Sequence, residues 1–94
     1  MKRSEISNIF NALNQLSLVK CAPECAMTIS KNARSLQDIV KSIGVGVQQC
    51  ETDEDRVKFG EQEEVIPELK KIKLSDIRGD VEPYIFNTLH TIIE

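Results

Sequence analysis

Apolar residues recur at steps of three and four along most of this chain, and the phase of those steps marks out helices. Ile6, Ile9, Phe10, Leu13 and Leu16 form one stripe, while Asn8, Asn11, Asn14 and Gln15 lie off it. Residues three and four apart share one face of an α-helix, so a helix is predicted over about 4–17 with this stripe buried. Ser4 is placed as its N-cap, where a hydroxyl accepts from free first-turn amides.

Residues 17–23, SLVKCAP, read as a connector. Pro23 disfavours helix at Ala22 and suits the first position of a new helix, and Glu24 suits that helix's positive end. The longest pattern in the chain follows. Ala26, Ile29, Ala33, Leu36, Val40, Ile43, Val47 and Cys50 are spaced alternately by three and four. That is a heptad seam over more than three repeats, and it predicts one helix over about 23–53. Ile29, Leu36, Val40, Ile43, Gly44 and Val47 are its expected core or oligomer seam. Gly44 and Gly46 do not shift the phase, although each costs a helix about 1 kcal/mol against Ala. Three readings stand for them: a tolerated weak point, a close approach of another backbone such as an oligomer contact at Gly44, or a break into a short strand.

Residues 51–64, ETDEDRVKFGEQEE, are the most polar segment and read as an acidic, partly helical loop. Beyond it Ile72 and Leu74 alternate with Lys71, Lys73 and Ser75, which predicts a short strand or extended arm over about 70–76. A lone strand leaves backbone amides unpaired, so it needs a partner. Val57 to Phe59 within the chain, or the same arm of another subunit, both qualify. After a turn at residues 78–80, Asp80 is placed as an N-cap, with Pro83 in the first turn. A last helix is predicted over about 81–93, burying Val81, Ile85, Leu89 and Ile92 with Phe86 and Ile93 beside them. The expected fold is mainly α: a helical hairpin with one long heptad-patterned helix, an extended arm and a C-terminal helix, in one domain over 1–94.

Composition changes this picture in one respect. A chain of 94 residues with no Trp, one Tyr and three Phe builds a thin core. Small thin cores gain support from disulfides, metals or self-association, and self-association is the expectation here. The net charge of −3 carries no basic stripe, which argues against nucleic acid as a partner. No apolar run follows the basic start, and no window reaches the roughly 18 apolar residues of a membrane span. A cytoplasmic protein with reduced cysteines and no membrane partner is expected.

The chemistry-bearing residues do not assemble into a recognised site. Cys21 and Cys25 form C-x3-C, but Cys50 and His90 stand alone, whereas structural zinc draws on paired ligands. No nucleophile is nominated beside His90. Glu51 with Glu54, and Glu61 with Glu64, are spaced to share a helix face, but the segment lacks the apolar residues that would bury a cation site. The GVG at 44–46 lacks the rest of a phosphate loop, and RGD at 78–80 is read as a turn. No cofactor, metal or catalytic residue is expected. Lys31, Asn32 and Arg34 near the start of the long helix are candidate anion or ligand contacts, joined by Lys73, Tyr84 and Phe86 should a nucleotide bind.

Four stretches, IFNALNQL, MTISKNARSLQDIV, EEVIPELKKIKLSDI and YIFNTLHTIIE, together resemble a type of short protein of tailed-phage genomes whose function is unknown. The resemblance implies a phage source, hence the cytoplasm of a bacterial host, and implies no activity. The chain departs from longer relatives of that type in its shorter acidic segment and its Gly44–Gly46 pair. The functional expectation is a non-enzymatic, self-associating helical binding protein, a phage accessory or host-interaction factor whose partners are itself and another protein. The alternative is a protein that sequesters a small nucleotide signal in pockets at subunit interfaces.

Overall fold

The computed structural model describes residues 1–94. Its axis is one long helix, α2 (Pro23–Gln49), and its 27 residues come to about 40 Å at 1.5 Å per residue. The molecule is 43 Å long, so α2 spans it. The other helices are α1 (Arg3–Leu16), α3 (Asp53–Glu61) and α4 (Pro83–Thr88). α1 packs back on α2 as a hairpin, and the fold is mainly helical, with no sheet.

α1 buries Ile6, Ile9, Ala12, Leu13 and Leu16, the predicted stripe. Ser4 does not cap it. The helix begins at Arg3, whose amide instead donates to the Gln62 carbonyl at 2.9 Å, so backbone from a distant segment does the work of a cap. Pro23 opens α2 at its first turn, as expected. The helix runs unbroken through Gly44 and Gly46 and stops at Gln49, short of residue 53. The Cys50 backbone turns to an extended conformation there, and its thiol donates to the Gly46 carbonyl at 3.5 Å.

The buried stripe of α2 differs from the predicted seam in an instructive way. Ile29, Leu36 and Ile43 are buried, as the heptad reading requires. Of the predicted alternate positions, Ala33 and Val40 are half-buried and Ala26 and Val47 exposed, so the better covered alternates are others. They are Cys25 and Asn32, both buried, then Ile39 and Gly46, both half-buried. Both sets are in heptad register with the same central row and lie on opposite flanks of it. Tertiary packing covers one flank, and the other is left partly open.

Residues 51–64 are not a loop over most of their length. Thr52 caps α3, its hydroxyl accepting from the Asp55 amide at 3.1 Å. Asp53, Glu54 and Asp55 crowd the positive end of the helix, and Lys58 pairs with Glu54 one turn back at 3.1 Å. No residue of α3 is buried. This helix rests on local capping, charge and the packing of Phe59 alone, which make no apolar stripe for the hydrophobic pattern to register.

From residue 62 the chain runs extended as a strap, stitched down at four places. Glu64 donates to Met1 at 2.8 Å. Asn32 of α2 holds Lys70 by both backbone groups, donating to its carbonyl at 2.9 Å and accepting from its amide at 2.8 Å. Ile72 pairs in parallel with Ile93, donating to Ile92 at 2.7 Å and accepting from Glu94 at 2.8 Å. After a 3-10 turn at Leu74–Asp76, Ile77 pairs antiparallel with Cys21. The arm is therefore paired within the chain. Its partners are the C-terminal residues and the α1–α2 connector, not Val57 to Phe59, which lie in α3.

That pairing also shortens the last helix. α4 ends at Thr88 because residues 92–94 are drawn out beside Ile72. It starts after Glu82, so Asp80 is not its cap and Val81 lies outside it. Ile85, Leu89 and Ile92 are buried as expected. One cluster of 13 buried apolar residues, drawn from α1, α2, the strap and the C-terminal segment, forms the core.

Candidate functional site

Two concavities and one open helix flank carry the polar and apolar groups of interest. The first concavity, about 330 Å³, lies between the N-terminus of α1, the middle of α2 and α3. Arg3 organises it. Its guanidinium lies 4.2 Å from the centroid of the Phe59 ring and pairs with Glu64 at 2.8 Å. Nε donates to the same carboxylate at 2.9 Å. Cation–π contact and a forked ion pair together hold α3 and the strap to α1. Asp38 and Ser42 face this cavity from α2, over Ile39 and Ile43. Arg3 is satisfied by its own neighbours, so it is a clasp rather than a free anion receptor.

Gly46 belongs to the same clasp. A Cβ there would overlap the Phe59 ring, whereas a Cβ on Gly44 would meet nothing within 4 Å. The close approach foreseen for the glycine pair is therefore made at Gly46, and by a side chain of the same chain rather than another backbone.

The second concavity, about 270 Å³, is a groove between α1 and α2. Phe10, Ile29 and Ala33 give it an apolar floor, and Asn14, Gln37 and Arg34 edge it. Of the six expected ligand contacts, Arg34 alone lies here. Asn32 is 2% exposed and fully engaged with Lys70, so it is a structural clamp and no ligand contact. Lys31 is exposed on α2, outside the groove. Lys73 sits elsewhere, in a shallow hollow with Glu24 and Asp76. Tyr84 is half-exposed and donates to Gln15 of α1, and Phe86 is half-buried in α4. The fold disperses this set instead of gathering it.

The open flank of α2 is the third feature. Ala33 and Val40 are half-buried, Val47 is 37% exposed, and Ala26 is exposed. These are the seam positions that the strap and α3 do not cover. Val45 and Val57 add exposed apolar surface towards the same end of the molecule.

Cys21 and Cys25 flank the start of α2. Cys25 is 4% exposed, and its thiol is pushed up to about 11, first by burial, then by the neighbouring Cys21 thiol and the Asp76 carboxylate. Such a thiol stays protonated at neutral pH and is a poor nucleophile. His90 is exposed, with Nδ1 at 2.8 Å from the Asn87 carbonyl. No three His, Cys, Asp or Glu side chains converge as metal ligands, and no helix is long and apolar enough to cross a membrane. Cys25, Asn32, Arg3 and Phe59 are the residues that periodicity passed over. The stripe Cys25, Ile29, Asn32, Leu36, Ile39, Ile43 and Gly46 is as regular as the seam, and its one amide made it look polar.

No family model matches this chain, and no curated protein or solved structure does.

Proposed function

We propose that this protein is a non-enzymatic helical binding module that works as a self-associated unit. The observation that carries the reading is the partly open flank of α2, where half-buried Ala33 and Val40 and exposed Val47 continue the heptad seam. Apolar positions in strict register on a long helix gain most when a second helix covers them. A thin core gives self-association a further energetic reason. The resemblance to short tailed-phage proteins supports the narrower reading of a phage accessory or host-interaction factor in the host cytoplasm, with a host or phage protein as its other partner.

Sedimentation velocity from about 10 to 300 µM tests the reading, these being the concentrations where modest interfaces form. The expected result is a mass at or above twice the 10.6 kDa chain, growing with concentration. A 10.6 kDa species at every concentration would sink it.

A second reading, sequestration of a small nucleotide, draws on the groove where Arg34 edges a floor containing Phe10. A guanidinium beside an aromatic ring suits a phosphate attached to a base. Thermal shift against cyclic and linear nucleotides tests it, and an unmoved midpoint throughout would remove it.

A further inference from the structure

We infer that a second copy of this chain docks antiparallel along the open flank of α2, with Val40 on the two-fold axis and each Val47 seated in the partner's groove beside Phe10. The inference rests on the self-association reading and names its surface and geometry.

Register supplies the first argument. Ala33 and Val47 lie seven residues either side of Val40, about 10 Å along the helix in each direction. Turned end for end about Val40, two copies of α2 bring Val47 of each against Ala33 of the other. Ala33 lies on the floor of the 270 Å³ groove, between Ile29 and Phe10. The exposed Val47 and the groove with Phe10 and Ala33 on its floor thus stand at matching distances from one point, as an isologous interface requires. Gly44, where a Cβ would meet nothing within 4 Å, leaves the edge of this face low enough for close approach.

Charge decides the direction. Arg34, at the edge of this face, makes no intrachain ion pair, and neither do Glu51 and Asp55 beyond the end of α2. The two acids of α2 lie off this face: Asp38 lines the Arg3 cavity on the other flank, and Glu24, in the first turn, lines the hollow with Lys73. A parallel pair would set basic against basic and acidic against acidic. An antiparallel pair brings Arg34 of one α2 towards the acidic end of the other. Arg34 then lies about 4.5 Å along the axis from the partner's Gln49, the last helical residue before the acidic segment. The covered stretch is short, so the dimer belongs with small, exchanging interfaces.

Cysteine cross-linking tests the geometry. The background carries Cys21→Ser and Cys50→Ser and keeps the buried Cys25. In it, Ala33→Cys, Val40→Cys and Val47→Cys are made singly, with Val45→Cys on the opposite face as control. Under a mild thiol oxidant such as diamide, Val40→Cys should cross-link to itself at least tenfold faster than Val45→Cys. Ala33→Cys and Val47→Cys should cross-link only when mixed. As an independent check, Arg34→Glu should lower the dimer fraction in sedimentation, and adding Glu51→Lys should restore it. Self-cross-linking of Ala33→Cys and Val47→Cys would overturn the antiparallel arrangement. An oligomeric wild type whose row variants all fail to cross-link would overturn the surface while leaving self-association standing. A monomer throughout would end both readings.

Discussion

Asn32 is the residue on which the strap depends most directly. One side-chain amide satisfies both backbone groups of Lys70, much as a neighbouring strand would, and does so from inside a helix. Asn32→Leu removes both hydrogen bonds while keeping the branched shape, and should lower unfolding stability by about 1–3 kcal/mol in urea titration. The two glycines should respond with opposite signs. Gly44→Ala meets open space and should stabilise α2 by about 0.5–1 kcal/mol, measured at dilution where the chain is monomeric. Gly46→Ala drives a methyl into the Phe59 ring and should destabilise by about 1–3 kcal/mol, a loss that Phe59→Leu should reduce. Cys25 gives a pH signature. Its thiol rises from 9.0 to about 11 on folding, so the folded chain holds this proton more tightly than the unfolded chain. Its contribution to stability is complete below about pH 9 and is lost as pH climbs through 11. Urea midpoints should therefore fall between pH 9 and 11, less steeply in Cys25→Ala. Iodoacetamide at pH 8 should label Cys21 and Cys50 well before Cys25.

At the scale of elements, α3 and the strap show how unequally the parts are held. α3 buries no side chain, and Phe59, wedged against Gly46 under the Arg3 guanidinium, is its main apolar anchor. Phe59→Ala should raise amide exchange across residues 53–61 towards the unfolded rate while leaving α1 and the first half of α2 protected. General loss of protection would instead mean that α3 is integral to the core. α1, α2 and their turn were legible in the sequence because their burial follows the 3.6-residue period. α3 was not, since a threonine cap, ion pairs one turn apart and the single side chain of Phe59 hold it, and none of these makes a 3.6-residue stripe. Nor was the early end of α4 legible. Ile92 and Ile93 continue the helical pattern, and what pulls them straight is a hydrogen-bonding partner twenty residues upstream.

The whole molecule is a helical hairpin with a strap wound round it, and the strap's buried pin is Ile72. That residue is 1% exposed and joins the C-terminal segment to the core. Ile72→Ala should cost about 2–5 kcal/mol, a large share of what a small domain commands. The thermal midpoint of this variant should also rise with protein concentration if assembly supports the fold. A concentration-independent midpoint, equal in wild type and variant, would show that neither the pin nor the assembly contributes.

The sequence by itself determined the helical class, the hairpin of α1 on α2, and the central row Ile29, Leu36 and Ile43. Those follow from periodicity, a property of each segment alone. It also favoured an α2 that runs through its glycines, because the phase of the pattern is unbroken there, and the structure removes the alternative of a break. Only the tertiary structure decided which flank of that row is buried. Both flanks are in register, and the choice belongs to the strap, whose Lys70 backbone finds its partner in Asn32. Because that flank is covered by the chain itself, Ala33, Val40 and Val47 are the seam positions left open to a second helix.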